Sequence, residues 1–229
     1  MTISILAYDE KTGSYGGAAT TGSLCVGGWV LRGDAESGLS ASQGSMPSTM
    51  WGTDTLAAMR AGEDAQDAVL GVVGADKGRS QRQLSALDPT GGVFAFTGED
   101  SIPVAGSRSG TGVIVAGNLL ENEDVIDACF NGFHRADGTL AERLIAALDA
   151  AARKGGDSRG LLSAALLVVS RSAAPLTLRI DKSATPLGDL RSLYNAATSG
   201  AYAEWAALVP TLDDPDRAEP YLEKADQPV

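Results

Sequence analysis

Apolar and polar residues alternate from the first positions of the chain. Ile3, Ile5 and Ala7 interleave with Ser4, Leu6 and Tyr8, the period-2 spacing of a β-strand. Asp9-Glu10-Lys11-Thr12-Gly13 then supplies a hairpin turn, with glycine where positive φ is needed. Residues 14–21 return as a second strand light in side chains, and residues 26–31 and 37–42 read as two more. Glycine weakens a strand and marks close approach of another backbone or a ligand. The clustered glycines here therefore point to a ligand or a packed second layer beside this face.

Residues 48–74 turn helical. Leu56, Met59 and Arg60 share a face, Gly62 interrupts, and Asp64 caps a second segment that buries Ala68, Val69, Val72 and Val73. Residues 83–88, the turn Pro89-Thr90-Gly91-Gly92 and residues 93–97 read as strand, turn, strand. Residues 106–112 read as a loop, and residues 111–116 as a strand that ends at Gly117-Asn118. A helix covers 122–136. The next one opens with a capping box, Thr139 and Glu142, and stacks Leu140, Leu144 and Leu148 into a buried stripe. It stops at Lys154-Gly155-Gly156. Residues 163–169 form a continuous apolar run, as in a strand buried on both faces. Leu176, Leu178 and Ile180 alternate with Thr177 and Arg179 as its antiparallel partner. After Pro186 one last helix carries Leu187, Leu190, Leu193, Ala197, Trp205 and Leu208.

Strands, then helices, then strands, then a helix predict an α+β class with antiparallel sheets covered by helices. One domain is expected over residues 1–209. An acidic, proline-rich tail follows over 210–229, loosely packed or wrapped on a neighbour.

Composition narrows the function. The 229 residues are 44% hydrophobic and 21% charged, ordinary for a folded domain. The formal net charge of −11 repels phosphate backbones and anionic lipid, so no nucleic-acid or membrane partner is expected. No apolar run approaches the roughly 20 residues of a membrane span. The opening residues lack a basic region and do not read as a signal peptide. With two cysteines, Cys25 and Cys129, the chain reads as a reduced, cytoplasmic protein. Cys129 reads as a core residue, and Cys25 as a weak candidate for thiol chemistry.

Common catalytic sets are missing. A single histidine, His134 at a helix end, reads as solvated or capping, and no metal site is expected. There is no Gly-x-Ser-x-Gly elbow, Ser-x-x-Lys or phosphate loop, and no cofactor is expected. The N-terminus remains. Thr2 follows Met1, and its small side chain permits removal of the methionine. A free N-terminal threonine carries its own hydroxyl nucleophile and an α-amine base titrating near about 7.7–8.0. The plain alternative is that many proteins simply begin Met-Thr.

The pattern resembles a bacterial and archaeal domain-of-unknown-function family, the ten-twenty-eight family, classed with N-terminal nucleophile (Ntn) hydrolase-like folds. The matching stretches include Thr2-Ile3-Ser4-Ile5-Leu6-Ala7, Arg82-Gln83-Leu84, Thr97-Gly98, Gly117-Asn118-Leu119-Leu120 and Ala141-Glu142-Arg143-Leu144. The most specific is Gly155-Gly156-Asp157-Ser158-Arg159-Gly160 leading into the buried strand at 163–169. The resemblance implies a four-layer αββα sandwich, two antiparallel sheets between helix layers. It implies a cleft with Thr2 as nucleophile and Asn118 donating to an oxyanion. Asp157 and Arg159 would orient an amine or hold a substrate carboxylate, or else form an internal salt bridge. Ser42 and Gln43 would contact substrate. The sequence departs from the family pattern at Leu162, at Ser107 and around Asp181-Lys182-Ser183. The function expected is hydrolysis of an amide or peptide-like small molecule. The alternative is a non-catalytic small-molecule binding or assembly protein on the same fold. For either reading a homo-oligomer is expected, with the Trp205-bearing last helix and the tail docking on a neighbour.

Overall fold

A computed structural model gives the fold and describes residues 2–155 and 160–218. The first two strands, β1 (Thr2–Asp9) and β2 (Ser14–Thr21), form the expected hairpin. Asp9 receives hydrogen bonds from Lys11 N at 3.2 Å and Thr12 Oγ1 at 3.0 Å, and Gly13 takes φ 64°.

The next segment differs from the sequence expectation. Residues 26–31 are not one strand: Val26–Trp29 is a helical turn, α1, and β3 covers Leu31–Asp34. The cause is tertiary. The turn lies so close to the larger sheet that a Cβ on Gly27 would sit 2.7 Å from Ala165 Cβ, and Val26 N donates to Ser163 Oγ at 3.1 Å. Next come β4 (Gly38–Gly44), α2 (Trp51–Arg60) and α3 (Ala65–Gly74). Asp64 caps α3 by accepting from Asp67 N at 2.9 Å. A single 3-10 turn leads into β5 (Arg82–Leu87), and β6 is Val93–Thr97.

Residues 106–112, expected as a loop, contain β7 (Gly106–Gly110), which pairs with β8 (Val113–Asn118) across Gly112 at φ 65°. Its Ser107 and Ser109 are exposed on the sheet edge, so no apolar alternation announces it. Helices α4 (Asp124–Arg135) and α5 (Leu140–Arg153) follow, the latter with its capping box in place. Strands β9 (Ser163–Val169) and β10 (Leu176–Ile180) pair antiparallel. The expected last helix is two: α6 (Pro186–Ala197) and α7 (Gly200–Ala206), parted at Gly200 with φ 62°. Of the tail, the described part folds back on its own chain, with Arg171 Nε donating to Asp213 Oδ1 at 3.0 Å.

One sheet has six strands in the order β10-β9-β2-β1-β8-β7, the other four in the order β3-β4-β5-β6, all paired antiparallel. Alternation on each strand divides the core. Ile3, Ile5 and Ala7 pack with Phe133, Leu144 and Leu148 of α4 and α5. Leu6, on the other face, meets Leu31, Leu39 and Leu87 of the smaller sheet. Leu84 and Ala86 pack with Trp51, Met59 and Val69 of α2 and α3. Each fully buried leucine or isoleucine contributes roughly 1.5–3 kcal/mol. Among the described residues, no helix is long and apolar enough to cross a membrane.

Candidate functional site

The layer between the sheets is apolar around Leu6 and turns polar toward the start of β1. Side chains two apart share a face, so Ser4 and Thr2 follow Leu6 inward. The registers place Thr2 opposite Thr21 of β2 and Asn118 of β8. Thr2 Oγ1 donates to Thr21 Oγ1 at 3.2 Å. On the facing sheet Gln43, Gln83 and Thr97 form a cross-strand row.

Gln83 joins the two sheets. It is fully buried. Its Oε1 accepts from Gln43 Nε2 at 2.6 Å and from Asn118 Nδ2 at 3.2 Å. Its Nε2 donates to Thr97 Oγ1 at 2.8 Å, Gly106 O at 3.0 Å and Gly117 O at 3.1 Å. Gln43 Nε2 also donates to Ala116 O at 3.2 Å. Two buried atoms here, Ser4 Oγ and Gln43 Oε1, have no hydrogen-bond partner among the described residues. Unpaired polar atoms in a buried setting are uncommon, and each calls for a partner that a bound water or a ligand group can supply.

The structure thus brings together Thr2, Asn118 and Gln43 of the residues expected from sequence. It separates Ser42 from them. Ser42 is on the opposite face of β4, where its hydroxyl donates to Ser48 O at 3.3 Å at the start of α2; the pleat sends adjacent residues to opposite sides. Asp157 and Arg159 lie outside the described residues. Sequence reasoning singled out Arg82-Gln83-Leu84 but gave Gln83 no role. The available signal was an amide side chain on the same face of β5 as Leu87.

Cys129 and His134 lie on the helix side of the larger sheet, away from this point. Cys129 is buried in the helix-side core, which pushes its thiol pKa up. Cys25 precedes α1 in a left-handed conformation, φ 61°. His134, in the last turn of α4, stacks near Phe130 and Phe133; partial burial and then Arg143 and Arg108 hold its pKa below the ordinary value. Among the described residues no group of His, Cys, Asp and Glu is arranged to hold a metal. Two surface hollows, of about 460 and 340 Å³, run along α4 and include none of Thr2, Gln43, Gln83 or Asn118.

Residues 2–190 match the model of the Family of unknown function (DUF1028), the ten-twenty-eight family of the sequence reading. No curated protein gives a significant match. The crystal structure of a DUF1028 protein from Silicibacter pomeroyi is 49% identical, with a TM-score of 0.90, over 94% of this chain and 98% of that one. The chain therefore belongs to the DUF1028 family.

Proposed function

We propose that this chain is an Ntn-hydrolase-like enzyme that cleaves an amide or peptide-like small molecule, with Thr2 as nucleophile once Met1 is removed. The observation that carries the reading is the position of Thr2, at the start of a central strand, between Thr21 and Asn118 and on the inward face. The packing supports the matching fold, a four-layer αββα sandwich, with α4 and α5 outside one sheet and α2 and α3 outside the other.

In this mechanism Thr2 Oγ1 attacks the amide carbonyl carbon while the α-amine takes the hydroxyl proton. The carbonyl oxygen becomes an oxyanion. Asn118 Nδ2 has two N–H donors; one is held by Gln83 Oε1 and the second is available to that oxyanion. The C–N bond then breaks, the ammonium returns its proton to the leaving amine, and an ester on Thr2 remains. Water, deprotonated by the same amine, hydrolyses the ester and releases the acid. No metal or cofactor enters. The cytoplasm is the expected compartment.

Mass spectrometry of untagged protein from its native cell is the first test. A chain that retains Met1 has no free Thr2 amine, and the mechanism fails. With Met1 absent, acyl amides should turn over and Thr2→Ala should abolish turnover.

One observation favours a second reading, a binding protein on the same fold. The Thr2 hydroxyl and the Asn118 amide are each already held by a neighbour, Thr21 and Gln83. Saturable binding of amides without turnover, unchanged in Thr2→Ala, selects it.

A further inference from the structure

The polar contacts of Gln83 fix which atoms its two amide neighbours turn toward the site. Gly106 O and Gly117 O are acceptors only, so the Gln83 nitrogen must face them and its oxygen must face Gln43 and Asn118. That oxygen accepts, so both neighbours present nitrogen to it, at 2.6 and 3.2 Å. Ala116 O holds the Gln43 nitrogen from a second direction. Both N–H groups of Gln43 are thereby used, and its carbonyl oxygen is left bare in a side chain 2% exposed. Asn118 uses one N–H on Gln83 and keeps another. Two amides anchored on one oxygen atom thus offer one free acceptor and one free donor.

We propose that Gln43 and Asn118, keyed by Gln83, read a substrate amide at two points: its C=O accepts from Asn118 Nδ2 and its N–H donates to Gln43 Oε1. The inference rests on the reading of this site as one that takes an amide. It adds a selection rule. A primary amide, which carries one N–H on the same side as its C=O, satisfies both points; a trans secondary amide turns its N–H the opposite way. Esters and tertiary amides lack the N–H and leave the Gln43 carbonyl buried and unpaired, the costly outcome for a polar group. Gln83 touches no substrate atom; it is a positioning residue that sets the orientation of both readers.

The test uses full-length Thr2→Ala protein, so binding is measured without turnover. Hexanamide, N,N-dimethylhexanamide and methyl hexanoate are titrated while the side-chain amide signals of Gln43, Gln83 and Asn118 are followed by 1H–15N NMR. Hexanamide is expected to shift the Gln43 and Asn118 signals saturably and to bind roughly tenfold or more tightly than either analogue. In Gln43→Leu that preference disappears. Equal affinity for the three probes, no saturable shift with hexanamide, or a preference that survives Gln43→Leu overturns the proposal. Thermal denaturation checks that Gln43→Leu folds; the three-probe comparison stands without it. Selective hexanamide binding with no turnover by Thr2-bearing protein removes the hydrolase reading and keeps the pair. Turnover without discrimination between amide and ester removes the pair and keeps the hydrolase.

Discussion

Asp88 follows β5, at the opposite end of that strand from Gln83, and ties three segments together. Its Oδ2 accepts from Ala65 N at the start of α3, and its Oδ1 accepts from Thr90 N, Thr90 Oγ1 and Gly92 N, all at 2.7–3.0 Å. Burial pushes the carboxyl pKa up, but the hydrogen bonds from Thr90, Ala65 and Gly92 outweigh it and hold the pKa below the ordinary value. A depressed folded-state pKa means stability that is present above the unfolded value of about 3.9 and is lost as pH falls through the folded one. Asp88→Asn is therefore expected to cost on the order of 1–3 kcal/mol at neutral pH. It should also show a smaller stability loss than wild type on acidification below about pH 4. Urea titrations of both proteins from pH 7 to pH 3 check this; parallel curves count against it. Asn118→Ala is expected to lower kcat roughly 10²–10³-fold, the usual effect of removing one oxyanion donor; an unchanged kcat rules out that role. Thr2, Asn118 and Gln43 were legible in the sequence, from a strand start, a strand end and a family motif. Ser42 parts from Gln43 because sequence places neighbours together while the pleat sends them to opposite faces. The role of Gln83 was not legible, because its partners come from strands brought opposite only by the stacking of two sheets.

At the scale of elements, local signals carried well. The Gly13 turn, the Asp64 cap and the Thr139–Glu142 box all form where their chemistry asks for them. The elements that the sequence misread, α1 and β7, are set by what they lie against. Gly27 fits only where Ala165 approaches, and β7 exists because β8 offers it an edge. The α4–α5 pair obeys the same logic. A Cβ on Gly132 would stand 2.6 Å from Ala150 Cβ. Gly132→Val should force the helices apart at a cost of about 1–3 kcal/mol, the range for overpacking, seen as a lower Tm. An unchanged Tm contradicts this packing. Thr139→Ala removes the cap, along with a hydroxyl 3.0 Å from Tyr194 Oη of α6, and should cost about 1 kcal/mol.

Over the whole molecule, two features bear on association. The net charge of −11 makes copies repel, while α7 exposes Tyr202 and Trp205, whose rings lie 5.6 Å apart. Should copies associate through α7, the association is expected to strengthen with added salt, as screening shortens the repulsion. Light scattering should then give a mass above the 23.4 kDa of one chain, falling to it in Trp205→Glu. A single-chain mass at every salt concentration refutes it. Between the sheets, the contacts differ from end to end. Around Tyr8 and Tyr15, stacked 5.0 Å apart, they are mostly oily surface. At the other end Gln83 bonds to groups on β4, β6, β7 and β8 at once. Oily surfaces slip past one another at small cost, whereas directional bonds hold or break. Gln83 therefore behaves as a dowel that forbids shear. The tyrosine end carries one directional bond of its own, Tyr15 Oη to Pro89 O at 2.8 Å, so a change in the loop at Pro89 is expected to loosen that end while the Gln83 bonds hold the ground on which Thr2 stands.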